Sequence, residues 1–205
     1  MSRSRRWLPV FAAVLACTLS AFAVRVGRQA PNFTGTDSRG QSLTLSQYRG
    51  HFVVLEWTNN GCPFTRKHYE SGNMQALQRK WTDRGVIWIT ILSSARGQQG
   101  YMTAAEENAY LAREHAAPTA AILDPSGVIG RLYEAKTTPD MVVIDPAGKI
   151  IYEGAIDDHP TTDPADIPQS KNYVSEALSE AMAGQPVAVA YTRSYGCSVK
   201  YAGAE

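Results

Sequence analysis

The stretch FVVLEWTNNGCPF, residues 52–64, contains an apolar run, a turn and the start of a helix. The nearly continuous apolar run 52–57 is typical of a strand that is covered on both faces. Asn59, Asn60 and Gly61 break the run, and Pro63 fits the first position of a helix, where its missing N–H is not needed. The sequence therefore predicts a cysteine, residue 62, at a strand-to-helix turn.

Cys62 is the main candidate for a reactive group. Unpaired backbone N–H groups and the helix dipole favour an anion at the start of a helix. Arg66, Lys67 and His68 follow within two helical turns and add positive potential. Both effects favour the thiolate, which is the nucleophilic form of cysteine. The alternative is an inert buried cysteine, because free thiols often pack as small apolar side chains.

Strand-like and helix-like segments alternate along the rest of the chain. The predicted strands are 32–36, 41–44, 86–92, 119–123, 141–145, 149–155 and 187–191. The predicted helices are 63–81 with a bend at 71–72, 103–115, 128–135 and 172–183. Residues 157–169 are polar, and Asp157, Asp158 and His159 are expected in a solvated loop. This order predicts an α/β fold with a mixed central sheet flanked by helices, an N-terminal hairpin and a C-terminal extension.

Composition excludes several classes of protein. The chain has 205 residues, 44% of them apolar and 19% charged, and can therefore bury a core. Twenty basic against 19 acidic residues give a net charge of +1, which is not the basic excess of a nucleic-acid binder. No residue spacing indicates a metal site.

Residues 1–23 have the pattern of an export signal. Arg3, Arg5 and Arg6 precede the uncharged stretch 8–23, which ends in a small-x-small cleavage pattern at Ala23. The stretch is short for a membrane span, so a retained anchor is the less favoured alternative. We expect export to a periplasm-like space, with the secretory, twin-arginine and lipoprotein routes left open. Membrane attachment would require lipidation at Cys17 or an uncleaved signal.

Cleavage after residue 23 would leave two thiols, Cys62 and Cys197. Two cysteines in an exported chain favour either a bridge or a redox role. Because they are 135 positions apart, only a C-terminal tail that folds back could join them. A redox pair, a permanent structural bridge and the absence of a bond are the three alternatives.

The ordered motifs resemble those of thioredoxin-like redoxins of the alkyl hydroperoxide reductase/thiol-specific antioxidant superfamily. The resemblance covers residues 26–158 and rests on Ala30-Pro31-Asn32-Phe33, Asp37 with Gly40, Trp57 ahead of Cys62-Pro63, Asp124 with Gly127, and Thr138-Pro139 leading into Val143-Ile144-Asp145 and Gly148. It implies a thioredoxin fold with Cys62 at the redox-active turn and Pro139 as a cis-proline beside it.

The chain also departs from the patterns of these relatives. Thr65 stands where the second cysteine of a Cys-x-x-Cys motif would be, so the local resolving thiol is missing. Leu55 and Asn59 replace the proline and threonine of the peroxiredoxin motif, and Pro139 stands at the position of the catalytic arginine. Because the groups that polarise a bound peroxide are absent, efficient peroxide reduction is not expected. The chain is most similar to a peroxiredoxin-like branch with one cysteine at this turn.

Glu56 lies six residues before Cys62, where thioredoxins place a buried carboxylate that passes a proton to the second thiol. A charge inside the apolar run is costly unless it is paired or functional. The alternative is a solvent-facing position or a pairing with a nearby arginine.

The resemblance implies an exported thiol-based oxidoreductase. Cys62 would attack a disulfide-bearing protein or, less efficiently, a hydroperoxide, and Cys197 or an external thiol would resolve the intermediate. The supporting residues would be Thr65, Arg66 and Lys67 at the thiolate, and Thr138 and Pro139 in the substrate groove. A thiol reductant protein is implied, and a metal or organic cofactor is not.

The alternative function is a non-catalytic thioredoxin-fold binding module in which a Cys62–Cys197 disulfide is structural. In either case the expected organisation is a signal peptide at 1–23, a redoxin domain at 24–158 and a C-terminal extension at 159–205.

Overall fold

A computed structural model describes residues 26–203 of the chain. The strands are β1 (Thr34–Thr36), β2 (Ser42–Thr44), β3 (Val53–Trp57), β4 (Ile87–Leu92), β5 (Ala120–Leu123), β6 (Thr137–Thr138), β7 (Asp140–Ile144), β8 (Ile150–Gly154) and β9 (Cys197–Ser198). The helices are α1 (Pro63–Glu70), α2 (Asn73–Thr82), α3 (Ala104–Arg113), α4 (Val128–Leu132) and α5 (Tyr173–Met182). The predicted signal sequence and Cys17 lie outside the described residues.

The central sheet has the strand order β5-β4-β3-β7-β8. β3, β4 and β5 run parallel, whereas β7 pairs antiparallel with both β3 and β8. The predicted mixed sheet is therefore confirmed. Because side chains alternate along a strand, β3 contributes to two cores: Leu55 and Trp57 pack on one face and Val54 on the other.

The predicted hairpin near the N-terminus is confirmed with shorter strands, since β1 pairs antiparallel with β2. The predicted long helix from Pro63 is divided in two, because Gly72 adopts a left-handed conformation with φ of 75° between α1 and α2. At α3 the predicted capping box forms, with the Thr103 side chain accepting from the backbone N–H of Glu106.

The predicted last strand at 187–191 is wrong. Tyr191 makes an isolated bridge to Glu153 of β8, and the chain then crosses close over Gly154 at Thr192 instead of continuing beside β8. The tail forms its strand later, at β9, which pairs antiparallel with β6. The predicted polar loop at 157–169 contains a short 3-10 helix, Pro164–Gln169.

The C-terminal segment packs back onto the sheet. Val174 and Leu178 of α5 are fully buried in the same core as Met141 and Tyr152 of β7 and β8. No helix within residues 26–203 combines the length and apolar character needed to cross a bilayer.

Candidate active site

Cys62 is the residue that caps the start of α1. Its N–H donates to the carbonyl of Asn59 at 3.0 Å, and the Asn59 side chain accepts from the N–H of Gly61 at 2.8 Å. These bonds close the turn that the sequence predicts after β3. The cysteine side chain is fully buried in this structure.

The segment facing Cys62 comes from β6 and the start of β7. The Thr138-Pro139 peptide bond is cis, as the family resemblance implies. The Cys62 thiol donates a hydrogen bond to the carbonyl of Thr138 at 3.0 Å. Two motifs separated by 76 positions therefore meet at one sulfur atom.

The C-terminal tail brings the second cysteine to the same place. β9 pairs with β6 in a register that sets Cys197 opposite Thr138 and Ser198 opposite Thr137. This pairing places Cys197 beside the Thr138 carbonyl that Cys62 contacts, and both thiols are free in this structure. The sequence predicts a folded-back tail as the only way to join them, and the tail does fold back.

The two thiols have opposite pKa shifts. Burial raises the pKa of Cys62, but hydrogen bonds from the side chains of Cys197 and Thr138 and from the backbone at Thr65 outweigh it and leave the pKa below its ordinary value. Burial, followed by the hydrogen bond and the charge of Cys62, raises the pKa of Cys197 to about 11. Cys62 is therefore the thiol that ionises first.

The residues predicted to support the thiolate have different surroundings. Thr65 is fully buried, its backbone faces Cys62, and its hydroxyl has no hydrogen-bond partner among the described residues. The side chain of Arg66 is 54% exposed and pairs with Glu70 at 2.6 Å. Lys67 is buried, and its Nζ donates to the carbonyl of His159 at 3.0 Å.

Glu56 is fully buried and accepts three hydrogen bonds. The donors are Trp88 Nε1 at 2.7 Å, Tyr69 Oη at 2.8 Å and Gln78 Nε2 at 3.3 Å. Burial raises the pKa of Glu56, and these three donors oppose the rise. The alternative of a solvent-facing position is therefore wrong, and the donors to this carboxylate are an indole, a phenol and an amide instead of an arginine.

A buried polar cluster beside the active site was missed by the sequence interpretation. Asp157 is 3% exposed, so its assignment to a solvated loop is wrong. Its carboxylate accepts hydrogen bonds from Tyr195 Oη and, at 3.0 Å, from the N–H of His159. It also lies 3.8 Å from Lys67 Nζ and 3.7 Å from His68 Nε2. We name Asp157, Lys67, His68 and Tyr195 the Asp157 cluster.

The Asp157 cluster joins three parts of the chain: α1, the loop after β8 and the tail just before β9. Burial lowers the pKa of His68 to about 4, which leaves Lys67 as the cation facing the carboxylate at neutral pH. The only signal in the sequence is the pair Lys67-His68 on the helix that Cys62 begins.

A second buried carboxylate, Glu107 of α3, was also missed. It is 1% exposed, and burial together with the charge of Glu56 raises its pKa to about 7. No three histidine, cysteine or carboxylate side chains within residues 26–203 are grouped as metal ligands would be.

The mixed sheet, the cis-proline segment and the cysteine at the start of α1 define a thioredoxin-like redoxin of the oxidoreductase class. The sequence profile of the AhpC/TSA family matches residues 26–153, and the chain belongs to this family.

Comparisons with individual proteins agree with this assignment. A curated relative, the thiol-disulfide oxidoreductase ResA of Bacillus thuringiensis subsp. konkukian, is 28% identical over 130 residues, which are 63% of this chain and 69% of ResA. A hypothetical protein of Sinorhizobium meliloti 1021 has a TM-score of 0.75 at 20% identity and covers 89% of this chain and 97% of its own. A putative thiol:disulfide interchange protein DsbE of Chlorobium tepidum has a TM-score of 0.55 at 23% identity, over 79% of this chain and 98% of its own. Both solved structures are similar to this chain in fold.

Proposed function

We propose that the protein is a thiol-disulfide oxidoreductase in which Cys62 is the nucleophile and Cys197 is the resolving thiol. The observation that carries the proposal is the β6–β9 pairing, which sets Cys197 opposite Thr138, the residue whose carbonyl accepts the hydrogen bond of Cys62. The relative ResA, whose name states this activity, supports it.

The reaction begins when the Cys62 thiolate attacks one sulfur of a substrate disulfide. A bond forms between Cys62 Sγ and that sulfur, the substrate S–S bond breaks, and the leaving thiolate takes up a proton. Cys197 then loses its proton and attacks Cys62 Sγ. The second substrate thiol is released, the substrate has gained two electrons, and the protein holds a Cys62–Cys197 disulfide.

The pKa shifts fit this order of events. Cys62 is the more acidic thiol and attacks first, while Cys197 stays protonated. Once Cys62 is held in a mixed disulfide it has no charge, so one cause of the raised pKa of Cys197 disappears. The resolving thiol is thus activated only after the first step. A thiol reductant protein would reduce the Cys62–Cys197 disulfide and complete the cycle.

Glu56, Thr65, Arg66, Lys67, Thr138 and Pro139 have supporting roles in this proposal. Thr138 contacts the reacting sulfur directly, and Thr65 faces it through its backbone. Lys67 and Glu56 act at a distance, as positioning residues within buried polar networks. Hydroperoxides are proposed as poorer substrates, because Asn59 and Pro139 replace the peroxide-polarising threonine and arginine.

Export is part of the proposal and rests on residues 1–23 and on the chemistry. A cleavable signal would deliver the protein to an oxidising compartment, where disulfide substrates persist. In the same organisation, residues 24–158 form the redoxin domain and 159–205 the extension that supplies Cys197.

The test is reduction of a protein disulfide, such as that of insulin, by the purified protein with dithiothreitol as reductant. We expect turnover from the wild type and none from Cys62→Ser. Cys197→Ser should accumulate a mixed disulfide on Cys62, visible by intact mass before reduction. A non-catalytic module would give no turnover in any variant, and both substitutions would lower stability equally through loss of one structural bridge.

A further inference from the structure

The edge of β6 is occupied by a segment of the chain itself. Within residues 26–203, β6 pairs in the ladder only with β9, and removing β9 would leave the backbone groups of Thr137 and Thr138 unpaired. An unpaired strand edge accepts another extended chain by the same main-chain hydrogen bonds. Another extended chain paired with β6 in the place of β9 would have one residue opposite Thr138, and that residue would lie beside Cys62.

The position before Cys197 has room only for glycine. Gly196 has φ of 130°, and a Cβ added there would lie 2.0 Å from the carbonyl oxygen of Thr138 and 2.7 Å from its carbon. Thr138 is buried, and its carbonyl oxygen also accepts the hydrogen bond from Cys62. The clashing atoms therefore belong to the backbone that holds the Cys62 sulfur, and they cannot move aside as a flexible side chain would.

The position two before Cys197 fits an aromatic ring with a hydroxyl group. Tyr195 Oη donates to Asp157, whose carboxylate is already buried and held by the Asp157 cluster. The Tyr195 ring packs against Phe64 of α1, with ring centroids 5.8 Å apart and an angle of 64° between the planes. Without this phenol, one oxygen of a buried carboxylate would lose a hydrogen bond.

The tail before Tyr195 is flanked by open space. Cavities of about 410 and 590 Å³ lie beside it, and both are lined by Thr137, Thr192, Arg193 and Ser194. This part of the tail is therefore not enclosed by close packing on its two sides. On either side of this segment the tail is anchored, because Thr192 Oγ1 accepts from the N–H of Ala155 and the buried Val199 donates its N–H to the carbonyl of Lys136. Leaving the groove therefore requires only residues 193–198 to move between these two anchors, which costs less than moving a core element.

We propose that the β6 edge and the Asp157 cluster form a substrate groove that recognises an extended protein segment with the sequence pattern hydroxyl-bearing aromatic residue, glycine, cysteine. Residues 195–198 of the tail occupy this groove as an internal copy of the substrate. The inference deepens the proposed function and rests on it. The substrate segment displaces the tail, its cysteine disulfide is attacked by Cys62, and the returning tail brings Cys197 onto the mixed disulfide and displaces the segment.

The experiment uses peptides that copy residues 194–199 of the tail, blocked at both ends. The peptide cysteine is joined in a mixed disulfide to thionitrobenzoate, so attack by Cys62 on the peptide sulfur releases the coloured thiolate. Single-turnover rates with the reduced protein are compared for the tail sequence, its Gly196→Ala version and its Tyr195→Phe version. The same peptides are reacted with dithiothreitol to correct for intrinsic reactivity.

We expect the Gly196→Ala peptide to react at least about tenfold more slowly than the tail sequence, and the Tyr195→Phe peptide several-fold more slowly, because each loses one defined contact. Tyr195→Phe in the protein itself should speed the reaction of the unchanged peptide, since the internal competitor is weakened. Equal corrected rates for the three peptides, with release that depends on Cys62, would overturn the groove but leave the oxidoreductase intact. Release that is unaffected by Cys62→Ser would overturn the proposed function itself.

Discussion

Cys197 lies opposite Thr138 in the β6–β9 pair, and the Thr138 carbonyl accepts the hydrogen bond of Cys62 at 3.0 Å. One residue thus aligns both sulfur atoms. Thr65 stands where a second cysteine of the Cys62 turn would be, and the proposed resolving thiol lies on a tail 135 positions away.

The acidity of Cys62 should depend on the group at position 197. Cys197→Ala removes the side-chain interaction that lowers the pKa of Cys62 most, so this pKa should rise. Cys197→Ser keeps a donor and should hold the pKa close to the wild-type value. Ultraviolet absorbance of the thiolate between about pH 4 and pH 9 measures it, because Cys62 is then the first cysteine to ionise. An unchanged midpoint in Cys197→Ala would contradict this account.

Stability should fall as Glu107 ionises. Its pKa is raised to about 7 in the folded protein, so between the ordinary glutamate value of about 4.3 and pH 7 the folded state binds more protons than the unfolded state. The free energy of unfolding should therefore decrease with rising pH over this range, by up to about 3 kcal/mol from this group. Urea unfolding near pH 5 and pH 8 measures the difference.

Glu107→Gln should make the pH dependence of the unfolding free energy shallower, because the amide does not ionise. The control is Glu134→Gln, which changes an exposed carboxylate and should keep the wild-type slope. Equal slopes in wild type and Glu107→Gln would mean that Glu107 ionises normally in the folded protein.

Breaking the Asp157 cluster should destabilise the protein strongly. Asp157→Asn removes the charge that faces buried Lys67 and weakens the acceptor of Tyr195, with an expected loss of about 2–4 kcal/mol in the free energy of unfolding. The neighbouring Asp158 is the matched control, because it is partly exposed and pairs with His159. Asp158→Asn should cost less than about 1 kcal/mol. Urea unfolding compares the two, and similar losses would argue against a special role for Asp157.

The sequence predicts the parts of this fold that depend on local pattern. The apolar run before Cys62 identifies β3, Pro63 marks the start of α1, and the spacing of Thr103 and Glu106 identifies the start of α3. Each of these signals lies within a few residues of the feature that it specifies.

The missed features depend on contacts between distant parts of the chain. β9 has two residues, too few for a hydrophobic period, and its position is set by pairing with β6. Asp157 lies in a polar segment that looks solvated, but Lys67 and Tyr195, from α1 and the tail, cover it. The Glu56 carboxylate accepts hydrogen bonds from donors on α1, α2 and β4. No spacing in the sequence indicates that these three donors meet at one carboxylate.

A redox titration of the purified protein in glutathione buffers shows whether Cys62 and Cys197 interconvert between dithiol and disulfide. Alkylation and peptide mass would report the fraction of the Cys62–Cys197 disulfide at each potential. We predict a reversible two-electron transition between about −270 and −120 mV, the range of thioredoxin-like oxidoreductases. A disulfide with a reduction potential below about −300 mV would indicate a structural bridge. Two cysteines that form no disulfide at any potential would remove Cys197 from the reaction.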